Sequence, residues 1–600
     1  MKNKIKILVV LPFIVGFVCT SCEDPLPNKA VNEWEDKDVF RIPQMAEGVL
    51  NKAYSNINNR LDYFQNNFLD VATDNALTND QSTEVYKVGQ GLMTTFSNRI
   101  GNWAECYNNL QYINKFMEKG LTDVVKYSKS DSITDAAIKR RLLGEAYFLR
   151  AWWSFQLLQR HGGKTDGGEA LGYPIVTKFI TDEEARDPDL FVRNTYEECV
   201  NQIVADCDSA INRLPVKYTG NDVVTGIQHT GRATSIAAAV LKVNALLYGA
   251  SPAYQPDNIT QITGMGTFNV VDATAYKAKW ERLALYADTL IRNADGKFGA
   301  FGAYYGVKST DLADVAATTP ADFVFRIMFS NNNVEAQHFP PYFYGNARTV
   351  PSQNLVDAFP MKNGYPISHA SSGYDPQNPY VNRDNRFDMN IYYQGRVFAQ
   401  SQAPIDVVYG SKDSESFSPL ASRTGYYLRK HISITDNMLE PTQKKQSAHY
   451  NPLLRKGEVY LAFAEASNEV WGPTTKGPNC AYSAYDVIKS IRQASGGITD
   501  TGYLDEMAAN ESDFRLLIQN ERRLETTFEN QRFFDMRRWV LPLNESIKGI
   551  VVGRDEANVL SYSVREVEQR LMNDVKHYYI PLPYGEILRN KNIVNNLGWK

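Results

Sequence analysis

Four groups of residues in this 600-residue chain could do chemistry: a cysteine pair, scattered histidines, one dense run of arginines and carboxylates, and many aromatic rings. Cys19-Thr20-Ser21-Cys22 has the C-x-x-C spacing of a dithiol redox pair, but such pairs sit beside a βαβ pattern, and this one directly follows an apolar run. The seven histidines, His161, His229, His338, His369, His431, His449 and His577, show no ligand spacing. No H-E-x-x-H, G-x-S-x-G, phosphate-loop or calcium-loop signature occurs, and Gly89-Gln90-Gly91 and Gly264-Met265-Gly266 lack the third glycine of a dinucleotide turn. No metal or cofactor is expected. Two carboxyls suited to glycoside hydrolysis need only meet in space at ~5–9.5 Å, so spacing alone leaves a surface glycoside hydrolase as one reading. Glu521-Arg522-Arg523-Leu524-Glu525, then Phe528-Glu529, Arg532, Asp535 and Arg537-Arg538-Trp539, could form an arginine-rich anion site. Five arginines face four acids there, with Glu521 and Glu525 one helical turn apart, so mutual pairing is the simpler account.

The rings are the remaining chemical resource. Aromatic residues make up 12% of the chain, with 35 Tyr and 8 Trp, and many fall in loop-like segments. Loop rings suit a sugar-stacking surface and equally suit a well-packed loop. The formal charge of −4 and the absence of any Lys/Arg block longer than three give no footprint for phosphate backbones, so nucleic acid is not an expected partner. Beyond the first segment only Cys106, Cys199, Cys207 and Cys480 remain, too few for a disulfide scaffold in a chain of this size.

The elements that must position these residues begin at the N-terminus. Lys2, Lys4 and Lys6 precede the apolar run Ile7 to Val18, which at twelve residues is short of the ~18–20 needed to cross ~30 Å of hydrocarbon. Residues 1–21 therefore read as a signal peptide. Cys22 behind it resembles the acylated cysteine of a bacterial lipoprotein signal, with Cys19 where leucine is commonest. Glu23-Asp24 resembles the acidic tract that directs lipoproteins of the Bacteroidetes to the outer face of the outer membrane. Residues 22–40, acidic and carrying Pro25 and Pro27, read as a tether.

Helical periodicity follows at about 43–59, 103–119, 135–160, 195–213, 232–250 and 275–293. In the 135–160 segment Leu142, Ala146, Leu149, Trp153 and Leu157 share one face and Leu143, Tyr147, Ala151, Phe155 and Leu158 another, so neighbours are expected on both sides. Gly162-Gly163 is expected to supply a left-handed cap. Paired helices of similar length predict a mainly α fold on a tetratricopeptide-like scaffold over 41–295. Between 296 and 450 Gly, Pro, Asn, Ser and Tyr increase, predicting a loop-rich insert with short strands at Phe323–Phe329 and Tyr426–Ile432. Over 451–600 helices return at 452–470, opened by Asn451-Pro452, and at 483–494 and 511–526.

The segment Gly144-Glu145-Ala146-Tyr147-Phe148-Leu149-Arg150-Ala151-Trp152-Trp153 ending in Gly162-Gly163 resembles a helix of SusD/RagB proteins. Pro452-Leu453-Leu454-Arg455 through Glu458 to Glu465 and Asn468-Glu469 is similar to a second motif of that family, and Glu521 to Trp539 to a third. Asn354–Phe359 before Asn363-Gly364, Ile491-Arg492-Gln493 to Gly496-Gly497, and Ile580-Pro581-Leu582-Pro583 to Trp599 agree as well. Lys456-Gly457 and Asn530 depart from the usual pattern.

The resemblance implies a helical scaffold with a variable insert and non-catalytic capture of oligosaccharides at the cell surface. It also implies anchoring to the outer membrane through a lipid on Cys22, and delivery of ligand to a SusC-like TonB-dependent transporter. A peptide or another nutrient is the alternative ligand. Sugar capture asks for flat rings against pyranose C–H faces with planar polar groups meeting the hydroxyls. Two loop stretches answer this, one around Asp74 and Asn75 and one carrying Tyr304, Tyr305, Phe339, Tyr342 and Tyr344. Together they are expected to form a shallow platform of the insert's rings with polar help from Asp74 and Asn75. Trp103, Trp152 and Trp153 are expected in the core.

Overall fold

The computed structural model describes residues 35–600 apart from 99, 256–265, 267–271, 295, 299–300, 316–318, 400–401 and 443–444. The expected signal peptide, Cys22 and most of the expected tether therefore lie outside the described residues. The last part of the expected tether is docked: Asp36–Val39 form one helical turn, Asp36 pairs with Lys115 and Lys119 at 2.6 and 2.7 Å, and Phe40 is buried against Ala46 and Val125.

The fold is mainly helical, with short scattered strands. Its frame is a run of helices, each packed on the next: α1 (Pro43–Ser55), α2 (Trp103–Lys115), α3 (Ser132–His161), α4 (Tyr196–Ile211), α5 (Ser235–Ala250) and α6 (Ala273–Arg292). Helix α7 (Lys456–Trp471), reached after the insert, packs on both α5 and α6, and α8 (Ala484–Ile491) and α9 (Glu511–Glu525) pack on α7. Cap residues set the starts. Asp131 accepts from the Ile133 and Thr134 amides ahead of α3, and Thr195 and Glu198 form a reciprocal capping box on α4. Both expected faces of α3 are covered, and Trp103, Trp152 and Trp153 are buried.

Three expectations are corrected. Gly162 is extended, with φ −68° and ψ 145°, so α3 ends without a left-handed cap and runs straight into the strand Gly163–Lys164. Crowding demands the glycine instead, since a Cβ there would lie 2.5 Å from the Tyr196 ring and 2.6 Å from the Leu158 carbonyl oxygen. Asn451 and Pro452 do not open a helix. They lie in a strand, Ser447–Arg455, antiparallel to Phe323–Asn331, and α7 starts at Lys456, where Glu458 accepts the Arg455 amide at 3.0 Å. The 451–600 part is not wholly helical either: Ser546–Arg554 and Leu560–Gln569 form a long antiparallel hairpin with an irregularity between Glu566 and Glu568.

Taking the strands used below in chain order, β1 is Ala76–Leu77, β2 Phe323–Asn331, β3 Val350–Pro351, β4 Ser447–Arg455, β5 Ser546–Arg554 and β6 Leu560–Gln569. The strand expected at 426–432 is only Tyr427–Leu428. One hydrophobic cluster runs from Leu50 to Trp599 and draws on helical part, insert and C-terminal part alike. Among the described residues no helix is long and apolar enough to cross a membrane.

Candidate functional site

Asp74 and Asn75 lie just before β1, which pairs with β3 of the insert through Ala76 with Pro351 and Leu77 with Val350. This ladder stitches the two stretches together, and Ser352 continues it by donating its amide to the Asn75 carbonyl at 2.8 Å and its hydroxyl to the Asp74 carbonyl at 2.5 Å. The side chains point inward. Asp74 is buried and accepts from Arg532 Nε and Nη2 at 2.9 and 2.8 Å, with Arg523 Nη2 at 3.0 Å. Burial pushes its carboxyl up, but the charges of Arg523 and Arg532 prevail and hold it well below the usual carboxylate range. The Asn75 amide, fully buried, donates to Asp70 Oδ1 at 2.9 Å and accepts from Arg523 Nε at 2.8 Å. Neither side chain is free to meet a ligand at the surface; both are spent on buried partners that hold this loop in place.

Tyr304 and Tyr305 go elsewhere. Tyr304 is buried edge-on against Tyr460, with centroids 5.6 Å apart, where α7 draws it into the core. Tyr305 is half-buried, donates to Asp311 Oδ2 at 3.1 Å, and packs on a small cluster of Val307, Leu312, Phe323 and Tyr450. Phe339 is also buried, edge-on to Phe398 at 4.7 Å.

Tyr342 and Tyr344 remain at the surface, 51% and 53% exposed. Tyr342 lies in the turn Pro341–Phe343 and Tyr344 directly follows it; Pro340 precedes the turn, and both prolines fix φ and limit the loop's freedom. Phe343 points inward and stacks on Phe398 at 4.0 Å and 18°, while Tyr342 meets it edge-on at 5.3 Å. Tyr344 has φ +70°, a conformation costly for a tyrosine, and the amides of Gly345, Asn346 and Ala347 pin the turn to Pro340, Ala336 and Phe339. Lys412 Nζ sits 4.5 Å from the Tyr342 centroid and is held by the buried Asp413, so the ring face turned away from Lys412 is the open one. The Asn79 amide ties this turn to the Lys412 loop, donating to the Asn346 and Leu420 carbonyls at 2.6 and 2.7 Å. That second loop carries Tyr409 and Phe417, 81% and 61% exposed, which sequence reasoning missed. The signal was available as rings among Gly, Ser and Asp, but nothing in the spacing joined 409–417 to 342.

The arginine–carboxylate run is largely buried and, apart from Arg537, which donates only to the Phe533 carbonyl and the Met572 sulfur, is paired, with a different wiring from that expected. Glu521 pairs with Arg386 and Arg492 at 2.7 and 2.9 Å, both outside the run. Arg455 gathers Asp322, Glu525 and Glu529 at 2.8, 3.2 and 2.5 Å. Within the run only Asp535 pairs locally, with Arg522 and with Arg538, and Arg538 also grips Glu465 of α7 through two bonds at 2.6 and 2.9 Å. Mutual pairing was the expectation because neighbours in sequence are the only partners a sequence displays. Among the described residues no group of three His, Cys, Asp or Glu side chains could hold a metal ion, and Cys106, Cys199, Cys207 and Cys480 are thiols.

Comparison with known proteins adds the following. A family model described as the SusD family matches residues 316–599, and one described as starch-binding, associating with outer membrane, matches residues 28–241. A SusD-like protein of Bacteroides fragilis superposes with a TM-score of 0.69 at 22% identity, covering 94% of this chain and 99% of that one. A SusD-like carbohydrate-binding protein of the same species gives 0.65 at 19% identity over 92% and 99%. A SusD homologue of Bacteroides thetaiotaomicron gives 0.57 at 18% identity over 94% and 98%. At these identities the likeness to solved structures establishes the fold. No protein in the curated comparison matches.

Proposed function

The chain belongs to the SusD family, and from that premise we propose that it is a cell-surface, lipid-anchored glycan-binding protein that captures oligosaccharide and passes it to a SusC-like TonB-dependent transporter in the outer membrane. The observation that carries the reading is the pair Tyr342 and Tyr344: two half-exposed rings on a turn braced by prolines, a stacked Phe343 and a lysine behind one ring. Rings fixed before binding stack on pyranose faces without an ordering cost. The starch-binding description of the matching model and the carbohydrate-binding relative from Bacteroides fragilis support the same class of ligand. The reading is of a binder without catalysis; the carboxylates of the Glu521–Asp535 run are engaged by arginines rather than free for acid–base work. In this reading 41–295 and 451–600 form the scaffold, 296–450 presents the ligand surface, and 22–40 spaces the body from the membrane.

Alanine at Tyr342 and Tyr344 together should cost about 1–3 kcal/mol per ring removed, or about tenfold or more in affinity for an oligosaccharide identified on a glycan array. The melting temperature and helical circular dichroism should stay nearly unchanged; unchanged affinity would place the ligand elsewhere. Anchoring is tested separately. Cys22→Ala should abolish acyl labelling and membrane retention, and persistent labelling would refute Cys22 as the acceptor.

A further inference from the structure

A cavity bounded by described residues lies far from the tyrosine turn in sequence: a cleft of about 360 Å³ between the 56–65 loop, the start of α2, the second half of α3, α5, β4 and residues 529–534. Its volume falls within the ~300–1,000 Å³ of small-molecule sites. Its lining is unusual in a specific way. Gln156, projecting from α3, has no hydrogen-bond partner among the described residues, and neither does the side-chain amide of Asn451 on β4, although Asn451 is only 6% exposed. The indole N–H of Trp152, one turn before Gln156, is likewise unpartnered, and Asn244 uses its amide nitrogen on Glu458 at 2.7 Å but leaves its oxygen unpaired. These free donors and acceptors open onto the solvent of the cleft, so side chains that the fold does not use for its own hydrogen bonds face one concavity where a ligand can replace water.

Most charges around the cleft are already bonded within the fold. Arg60 is held by Asp62 and Asn66, Arg160 by the Tyr63 hydroxyl at 2.8 Å, Arg522 by Asp535, and Glu529 by Lys430 and Arg455. Glu105, at the exposed edge, and the buried Glu458, bonded to the Asn244 and Arg455 amides, are lining carboxylates with no ion pair. An anion would meet Arg160, which no carboxylate bonds, only together with the acids Glu105 and Glu458, which no cation pairs. A neutral ligand bearing alternating donors and acceptors around an apolar face would meet free amides and an indole.

We propose that this cleft is a second binding site, distinct from the Tyr342–Tyr344 turn, for a neutral mono- or disaccharide unit recognised by Gln156, Asn451 and Trp152. The class of ligand rests on the glycan-binding reading; the location rests on the cleft alone. The test uses saturation-transfer NMR with glucose, galactose, mannose, N-acetylglucosamine, maltose and cellobiose as neutral probes and glucuronate as the charged counterpart. At least one neutral probe should give a saturable signal with the wild type. It should weaken at least about tenfold in Gln156→Ala/Asn451→Ala, persist in Tyr342→Ala/Tyr344→Ala, and exceed that of glucuronate. Where the first double variant melts lower than the wild type, the single variant Gln156→Glu, which keeps the side chain's volume, reads the same loss. Absence of any neutral signal, indifference to the Gln156 and Asn451 changes, or preference for glucuronate would overturn the proposal. Loss of signal only in the tyrosine variant would do so too, while leaving the tyrosine turn as the sugar site.

Discussion

Asp74 is tied to its neighbours by two buried arginines, and that reverses its expected role. Removing it leaves Arg523 and Arg532 charged and uncompensated inside the protein, a situation that costs about 3–5 kcal/mol when a buried pair is broken. Asp74→Ala should therefore lower the unfolding midpoint in denaturant sharply while the folded fraction still binds ligand; lost binding with unchanged stability would mean that Asp74 touches the ligand after all. Burial explains why single residues were the least legible level. Tyr304, Phe339, Tyr342 and Tyr344 have the same local texture in sequence, but Tyr460 and Phe398, which bury the first two, lie about 60 to 160 positions away. Cys22, the proposed lipid acceptor, stood out through its position behind an apolar run, a purely local pattern.

Helices were legible because their apolar period and caps are local, and α3 to α6 lie within a few residues of the expected spans. Strands were not. β4 took Asn451-Pro452 because its partner β2, more than a hundred residues away, offered a ladder that outweighed a good helix start, and the β5–β6 hairpin alternates too weakly in hydrophobicity to be seen. The end of α3 carries a pH consequence. His161 would ordinarily favour the helix C-terminus as a cation, but burial, followed by the charges of Arg160 and Arg193, depresses it to about 3, and its Nε2 accepts the Asn102 amide at 3.3 Å. His431 is depressed to about 3 as well, first by burial and then by Lys430. For a base with a depressed folded pKa the unfolded chain binds the extra proton first. The neutral histidines therefore contribute fully above about pH 6.5 and that contribution is lost as pH falls toward about 3. Asp70, raised to about 6 by burial, works in the opposite direction, its contribution being lost as pH rises through about 6. The melting temperature should fall as pH drops from 7 to 4, and His161→Gln, which keeps an acceptor and removes the titration, should flatten the decline. An identical pH profile in the variant would contradict this.

At the scale of the whole molecule, the six sequence motifs in order foretold the family and the fold, because they build the frame: Arg538 to Glu465 and Arg455 to Asp322, Glu525 and Glu529 lock α7, α9, β4 and the loop before β2 together. Such buried ionic networks fix how elements dock more than they add net stability. The proposed ligand surface was less legible because it depends on which loops the frame brings side by side, and β1–β3 and Asn79 do this across more than 250 residues. The central claim is that the assembled molecule binds a glycan and leaves it intact. Isothermal titration calorimetry of the purified protein with array-identified oligosaccharide, with product chain length read from the same cell, tests this most directly. The account predicts a saturable binding heat and an oligosaccharide of unchanged length; heat only with peptides, or a shortened sugar, would contradict it.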